Sequence, residues 1–242
     1  MNIIDVIVIL LIAFCAYLGM KRGFVKSLVT LFGIIIVFIL AYFMKNPLAD
    51  WLCINLPFFN FTGSFKGAVI LNVIFYQLVA FIIMFSLLMV AYHVIVKVSG
   101  LVERILKMSF LLSVPTKIGG LIVGIFEGLF ISLIGIIVLS LPVLKFDLIE
   151  NSAIRNYLYN VSPVIGNITG SMNTSIDEIL ELKEKFANDD NKEQFNLSSL
   201  DILLKHNAMK VSLAEKLVYS GKLNIDETKA MEIVNKYKED WY

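Results

Sequence analysis

Residues 67–96 contain no Asp, Glu, Lys or Arg, and residues 118–144 contain one, Glu127. A helix needs about 20 mostly apolar residues to cross the hydrocarbon of a bilayer, and both stretches exceed that. Two further apolar runs, 3–20 and 24–44, are parted only by Lys21-Arg22-Gly23. The fold expected is all-α: a four-helix polytopic membrane bundle with helices over 3–20, 24–44, 67–96 and 118–144, followed by a C-terminal soluble helical domain.

The charge distribution divides the chain. Residues 1–144 hold 9 Lys/Arg and 4 Asp/Glu, whereas residues 145–242 hold 12 Lys/Arg and 16 Asp/Glu. A basic, apolar part thus gives way near Pro142–Lys145 to an acidic, polar one. The reading is a transmembrane domain over 1–145, an amphipathic and linker region over 146–197, and a small three-helix domain over 198–242. No basic patch with interleaved aromatics points to nucleic acid. Only Met1 and Asn2 precede the first apolar run, and its cations follow it. The run therefore reads as a retained membrane helix rather than a signal peptide.

Asn46-Pro47 is expected to end the second helix, leaving 45–66 as a loop whose Trp51, Phe58, Phe59 and Phe61 suit an interfacial belt or a cover over the bundle. The third run, about 45 Å long as a helix, must tilt or leave the hydrocarbon at its ends. Leu101, Ile105, Met108 and Leu112 predict a short amphipathic helix on the membrane surface within 97–117. Three Lys/Arg in the first turn and four in 97–117 place those segments in the cytoplasm. The N-terminus, the 45–66 loop and the tail then lie outside. In the tail, Ser198 with Asp201, Ser212 with Glu215 and Asn224 with Glu227 have the spacing of capping boxes, and Gly221 ends the middle helix. Apolar stripes run through Leu200, Leu203 and Leu204, then Leu213, Leu217 and Val218, then Ile233, Val234 and Tyr237. Ile176, Ile179, Leu180 and Leu182 suggest an amphipathic helix over 174–187, and 188–196 reads as a polar linker.

The fourth helix carries the most information. Gly120, Gly124, Gly128 and Ser132 recur every fourth residue, making a helix-packing ridge of small side chains that admits a close neighbour. Glu127 lies seven residues after Gly120, within about 20° of it around the helix, and so on the same ridge facing protein. Two readings of this carboxyl stand: a gate, proton or ion site, or a structural group bonded to a neighbouring helix. Thr30 and Tyr17 are its expected neighbours by depth. Asp5 is a second candidate intramembrane polar site, or a group satisfying amides at a helix N-terminus. Lys21, Arg22 and Gly23 form the cytoplasmic turn. Asn72 and Gln77 are expected to hydrogen-bond between helices, His206 to face solvent, and His93 has no Cys or His companions for a metal. Cys15 in a helix and Cys53 in a loop lie at different depths and are not expected to pair. The motifs of phosphate-binding loops, zinc hydrolases, thiol oxidoreductases and serine hydrolases are all missing. No catalytic residue, cofactor or metal site is therefore assigned, and the chain does not read as an enzyme.

Three segments resemble the colicin V production (CvpA) family of bacterial membrane proteins: Asn2-Ile3-Ile4-Asp5, then Gly19-Met20-Lys21-Arg22-Gly23-Phe24-Val25, then Ile118-Gly119-Gly120 through Gly124 to Gly128. The likeness covers about residues 1–165. The chain departs from the pattern at Met20, where an aromatic residue is expected, and at Ser27, where an acidic one is frequent. The resemblance implies an inner-membrane protein supporting production or export of a secreted toxin (a bacteriocin), or envelope homeostasis. It supplies no catalytic residues. The alternative is an oligomeric channel or transporter for a small solute or ion that uses Glu127. Expected partners are the lipid bilayer, and either a second copy of the chain or another membrane or envelope protein that the tail binds.

Overall fold

The computed structural model describes residues 3–61, 68–99, 116–139 and 192–238, together with residues 174, 175, 178, 179, 181, 182, 185 and 186. Every regular element among them is helical: α1 (Ile3–Arg22), α2 (Phe24–Asn55), α3 (Leu71–Ser99), α4 (Thr116–Leu139), α5 (Lys192–Lys205), α6 (Val211–Tyr219) and α7 (Glu227–Lys238). The first four are long and apolar enough to cross a membrane. Residues 100–115, where a surface helix is expected, lie outside the described residues.

The chain forms two compact units that are not contiguous in sequence. The first holds the described residues up to Met44 and those from Phe81 to Leu139. The second holds Lys45–Ala80 and the described residues of the tail. On α1–α4, Leu10, Phe14, Phe32, Phe43, Leu87, Val90 and Phe126 are all exposed, and all belong to the first unit. Such a surface is stable only in lipid. On α3 the contrast is sharp: Leu71, Asn72, Val73, Ile74, Tyr76, Leu78 and Ala80 are buried, whereas Ile82, Ile83, Leu87 and Val90 are exposed. Residues 68–96 of the charge-free run thus join a segment buried in the second unit to one with exposed apolar side chains in the first. Hydropathy does not distinguish them, because a core and a bilayer select the same side chains.

α2 does not stop at Asn46-Pro47. It continues through Pro47 to Asn55, so Trp51 and Cys53 lie on a helix rather than in a loop. Pro47 forfeits one hydrogen bond, to the carbonyl four residues back. Burial of Ala49, Leu52 and Cys53 holds the helix beyond it. Lys222 then secures its end: Nζ donates to the carbonyls of Cys53 at 2.9 Å, of Leu56 at 2.9 Å and of Ile54. These are unpaired carbonyls at the negative end of a helix, where a cation is most favourable. Nearby, Asn72 is fully buried and grips the Phe59 backbone, accepting its N–H at 2.8 Å and donating to its carbonyl at 3.0 Å. Gln77 donates to the carbonyl of Ala208 at 2.7 Å. Both amides therefore bond to backbone between helices, not across a helix pair.

The tail helices pack Phe195, Leu200, Leu203, Leu204, Leu213, Leu217, Leu223 and Val234 into one core. α5 begins at Lys192, inside the stretch read as a polar linker. None of the three proposed capping boxes forms. Ser198 and Asp201 lie within α5, and α6 follows Lys210 without a side-chain cap. Asp226 caps α7, accepting the Lys229 amide at 3.0 Å. Asn207 at φ 55 and Gly221 at φ 68 close α5 and α6. Amides 207 and 208 return to the carbonyls of Leu204 and Leu203, a left-handed helix stop. His206 does not face solvent alone: its Nε2 lies 2.9 Å from Glu178 Oε1. Burial works to raise the Glu178 carboxyl, but hydrogen bonds from His206 and Lys205 prevail and hold it below its ordinary value.

Replacing Lys222 by Met keeps the aliphatic stem and removes three charge-assisted bonds. The expected cost is about 2 kcal/mol. It is read as faster amide exchange over 49–56 and an earlier unfolding midpoint, with α1 and α4 unaffected. Unchanged exchange there would refute the role of the cation.

Candidate functional site at the contact of α1 and α4

The site begins at the first turn. Gly23 takes φ 80, which an L side chain rarely adopts, and its amide donates to Gly19 O at 2.9 Å. Ser27 is buried, and its hydroxyl donates to the same carbonyl at 3.1 Å. One carbonyl thus locks the reversal from α1 into α2. Position 27 thus holds a small hydroxyl that tucks beneath the turn.

α4 lies against α1 at backbone distance. A Cβ on Gly120 would collide with the Gly19 carbonyl and lie 2.9 Å from Gly23 C. One on Gly124 would collide with Cys15 O and stand 2.9 Å from Ala16 Cα, and one on Gly128 would stand 2.8 Å from Ile12 Cα. The contact is reciprocal at Gly19, where a Cβ would strike the carbonyl of Gly120. The register is antiparallel, with 19, 15 and 12 meeting 120, 124 and 128. On α1 the buried positions Asp5, Val8, Cys15 and Gly19 share this face with Ile12, in steps of three and four. Ser132 continues the α4 ridge. It is buried, and its Oγ has no hydrogen-bond partner among the described residues.

Glu127 is 5% exposed and paired with Arg22, whose Nη1 lies 3.2 Å and 3.3 Å from its two carboxylate oxygens. Neither neighbour expected by depth is its partner. Thr30 donates to Lys26 O at 2.9 Å within its own helix. Tyr17 is exposed, with Lys21 Nζ 4.8 Å from its ring centre. Depth along the helices was the wrong guide, because arginine carries its charge several ångströms from its Cα. Tyr92 donates to Val29 O at 2.9 Å. Farther along the first unit, Phe38 joins α2 to α3 and α4 through Phe81 and Phe130, ring centres 5.4 Å and 5.6 Å away. Asp5 is buried in the first turn of α1. His93 is exposed, with Nδ1 2.8 Å from Met89 O. Cys15 and Cys53 are free and buried.

This arrangement fixes one helix pair rigidly and neutralises the one acid on its ridge. Arg22 is 24% exposed and can turn toward headgroups, whereas Glu127 cannot reach water. The pair is therefore asymmetric. Arg22→Met strands a buried acid and is expected to cost about 3–5 kcal/mol. Glu127→Gln costs less, and the double variant recovers most of the loss of R22M. Melting in detergent would measure this cycle; additive single effects would rule out the coupling. Gly124→Val forces the helices apart, at about 1–3 kcal/mol. Gly135→Val on the same helix meets nothing within 4 Å and is expected to leave the melting temperature unchanged.

The family described as colicin V production protein matches residues 4–163. The match takes in both helices of this contact. No curated protein matches the chain, and no solved structure does.

Proposed function

The chain belongs to the colicin V production protein family, and from that membership we propose that it supports production or export of a secreted toxin, or envelope homeostasis, without catalysing a reaction. In this reading the first unit is the membrane anchor, and the three-helix tail is a partner-binding module outside the cytoplasm. The observation that carries it is the attachment of the tail to the connection between α2 and α3. Lys222 caps α2, and Gln77 of α3 holds the turn between α5 and α6. A module bonded in this way transmits a docking event to two membrane helices.

The pairing of Glu127 with Arg22 favours this support role over the channel reading. An ion or proton site needs an acid free to exchange its partner, and this one is engaged by a guanidinium. The bonds of Lys222 and Gln77 support a tail on the same side of the membrane as the α2–α3 connection. The positive-inside reading puts that side outside the cytoplasm.

Both parts are testable in cells. Thr228 is exposed on α7, so T228C is expected to react with a membrane-impermeant maleimide in intact cells. Labelling only after permeabilisation would reverse the orientation. In a toxin-producing strain, deletion of 192–242 is expected to abolish secreted toxin, with E127Q retaining most of it. Loss of export in E127Q, with the protein still inserted and folded, would favour the channel.

A further inference from the structure

A groove of ≈350 Å³ opens between α2 and α3 in the first unit. Gly33 and Tyr92 both line it, and the Tyr92 ring occupies the space where a Cβ on Gly33 would stand. The Tyr92 hydroxyl is spent on the Val29 carbonyl. The walls are hydrocarbon, from Leu28, Phe32 and Ile36 on α2 and Val96 on α3. Phe32 and Ile36 are exposed on a helix long and apolar enough to span a membrane, so the groove opens toward lipid.

One end of it is different. Lys26 follows the lining residue Val25 and lies three and seven positions before Val29 and Gly33, on the side of α2 that meets Tyr92. Lys97 follows the lining residue Val96 at the corresponding end of α3. Both lysines are exposed, and neither forms an ion pair among the described residues. Two exposed cations, each next in sequence to a residue lining one end of an apolar groove, match a molecule with an anionic head and a hydrocarbon tail. A soluble anion would leave the groove unfilled, and a zwitterionic lipid would bring its own cation to the lysines.

We propose that this groove binds an anionic phospholipid of the bilayer, its acyl chain along Leu28, Phe32 and Ile36 and its phosphate between Lys26 and Lys97. Basic clusters at the ends of membrane helices attract acidic headgroups by roughly fivefold per lysine, and the groove adds a chain-length contact that a bare basic patch lacks. The site is separate from the α1–α4 contact and from the tail.

The test is lipid retention by the full chain after mild delipidation, read by native mass spectrometry with phosphatidylglycerol and phosphatidylcholine offered in equal amounts. Wild type is expected to keep phosphatidylglycerol preferentially. K26Q/K97Q is expected to lose the preference while still folding, because both side chains are exposed. K21Q serves as the control at the same end of the bundle and is expected to keep it. Val96→Phe narrows the groove and is expected to lower retention of both lipids. Equal retention of the two lipids by wild type would overturn the proposal. So would an equal loss in K21Q, which would assign the preference to diffuse charge, or full retention in V96F.

Discussion

The thickness of a bilayer constrains this protein more than any single contact. The hydrocarbon admits about 20 helical residues, yet α2 has 32 and α3 has 29. The excess carries mostly apolar side chains, which water would not tolerate exposed. The division of the chain answers this. α2 gives residues 24–44 and α3 gives residues 81–99 to the first unit, each near one membrane crossing in length. Residues 45–55 and 71–80 go to the second unit, with the tail. There the surplus apolar surface becomes the core of a globular domain. The acidic tail is therefore no appendage to a finished membrane bundle. Its leucines share a unit with the membrane helices' own overhang.

Within the first unit, close backbone approach does what hydrophobicity cannot. Lipid tails solvate apolar side chains as well as a neighbouring helix does, so α1 and α4 gain little by hiding leucines from one another. Gly19, Gly120, Gly124 and Gly128 replace that missing drive with van der Waals contact between backbones. The same approach makes Glu127 tolerable. Glycines on both helices leave little bulk on this face, and Arg22 at the end of α1 reaches back along it to the carboxylate. The ion pair and the glycine contact are thus mutually dependent.

The four apolar runs, the glycine ridge and the leucine stripes of the tail were all legible, because each is a periodic pattern confined to one helix. Gly221 was legible as a stop because it needs a backbone angle that other residues avoid. The errors share a physical origin. Pro47 was read as a terminator, but one lost hydrogen bond is small beside the burial of Ala49, Leu52 and Cys53. The capping boxes failed because serine-and-acid spacing is also common inside helices. Arg22–Glu127 and Lys222–Cys53 join residues 105 and 169 positions apart, and no local pattern encodes such a pairing. One signal was available: a lone acid in one apolar run and an arginine at the end of another form a charge-balanced set, and long arginines close such sets over distances that depth-matching excludes.

The two engaged cations differ in what they leave unpaired if withdrawn. Lys222 neutralises backbone carbonyls at a helix end, and carbonyls near water find other donors. Arg22 neutralises a side chain that water does not reach. Withdrawing Lys222 is thus expected to cost less than withdrawing Arg22. The two cations lie in different units, and α2, which follows directly from the locked turn at Gly23, runs through both.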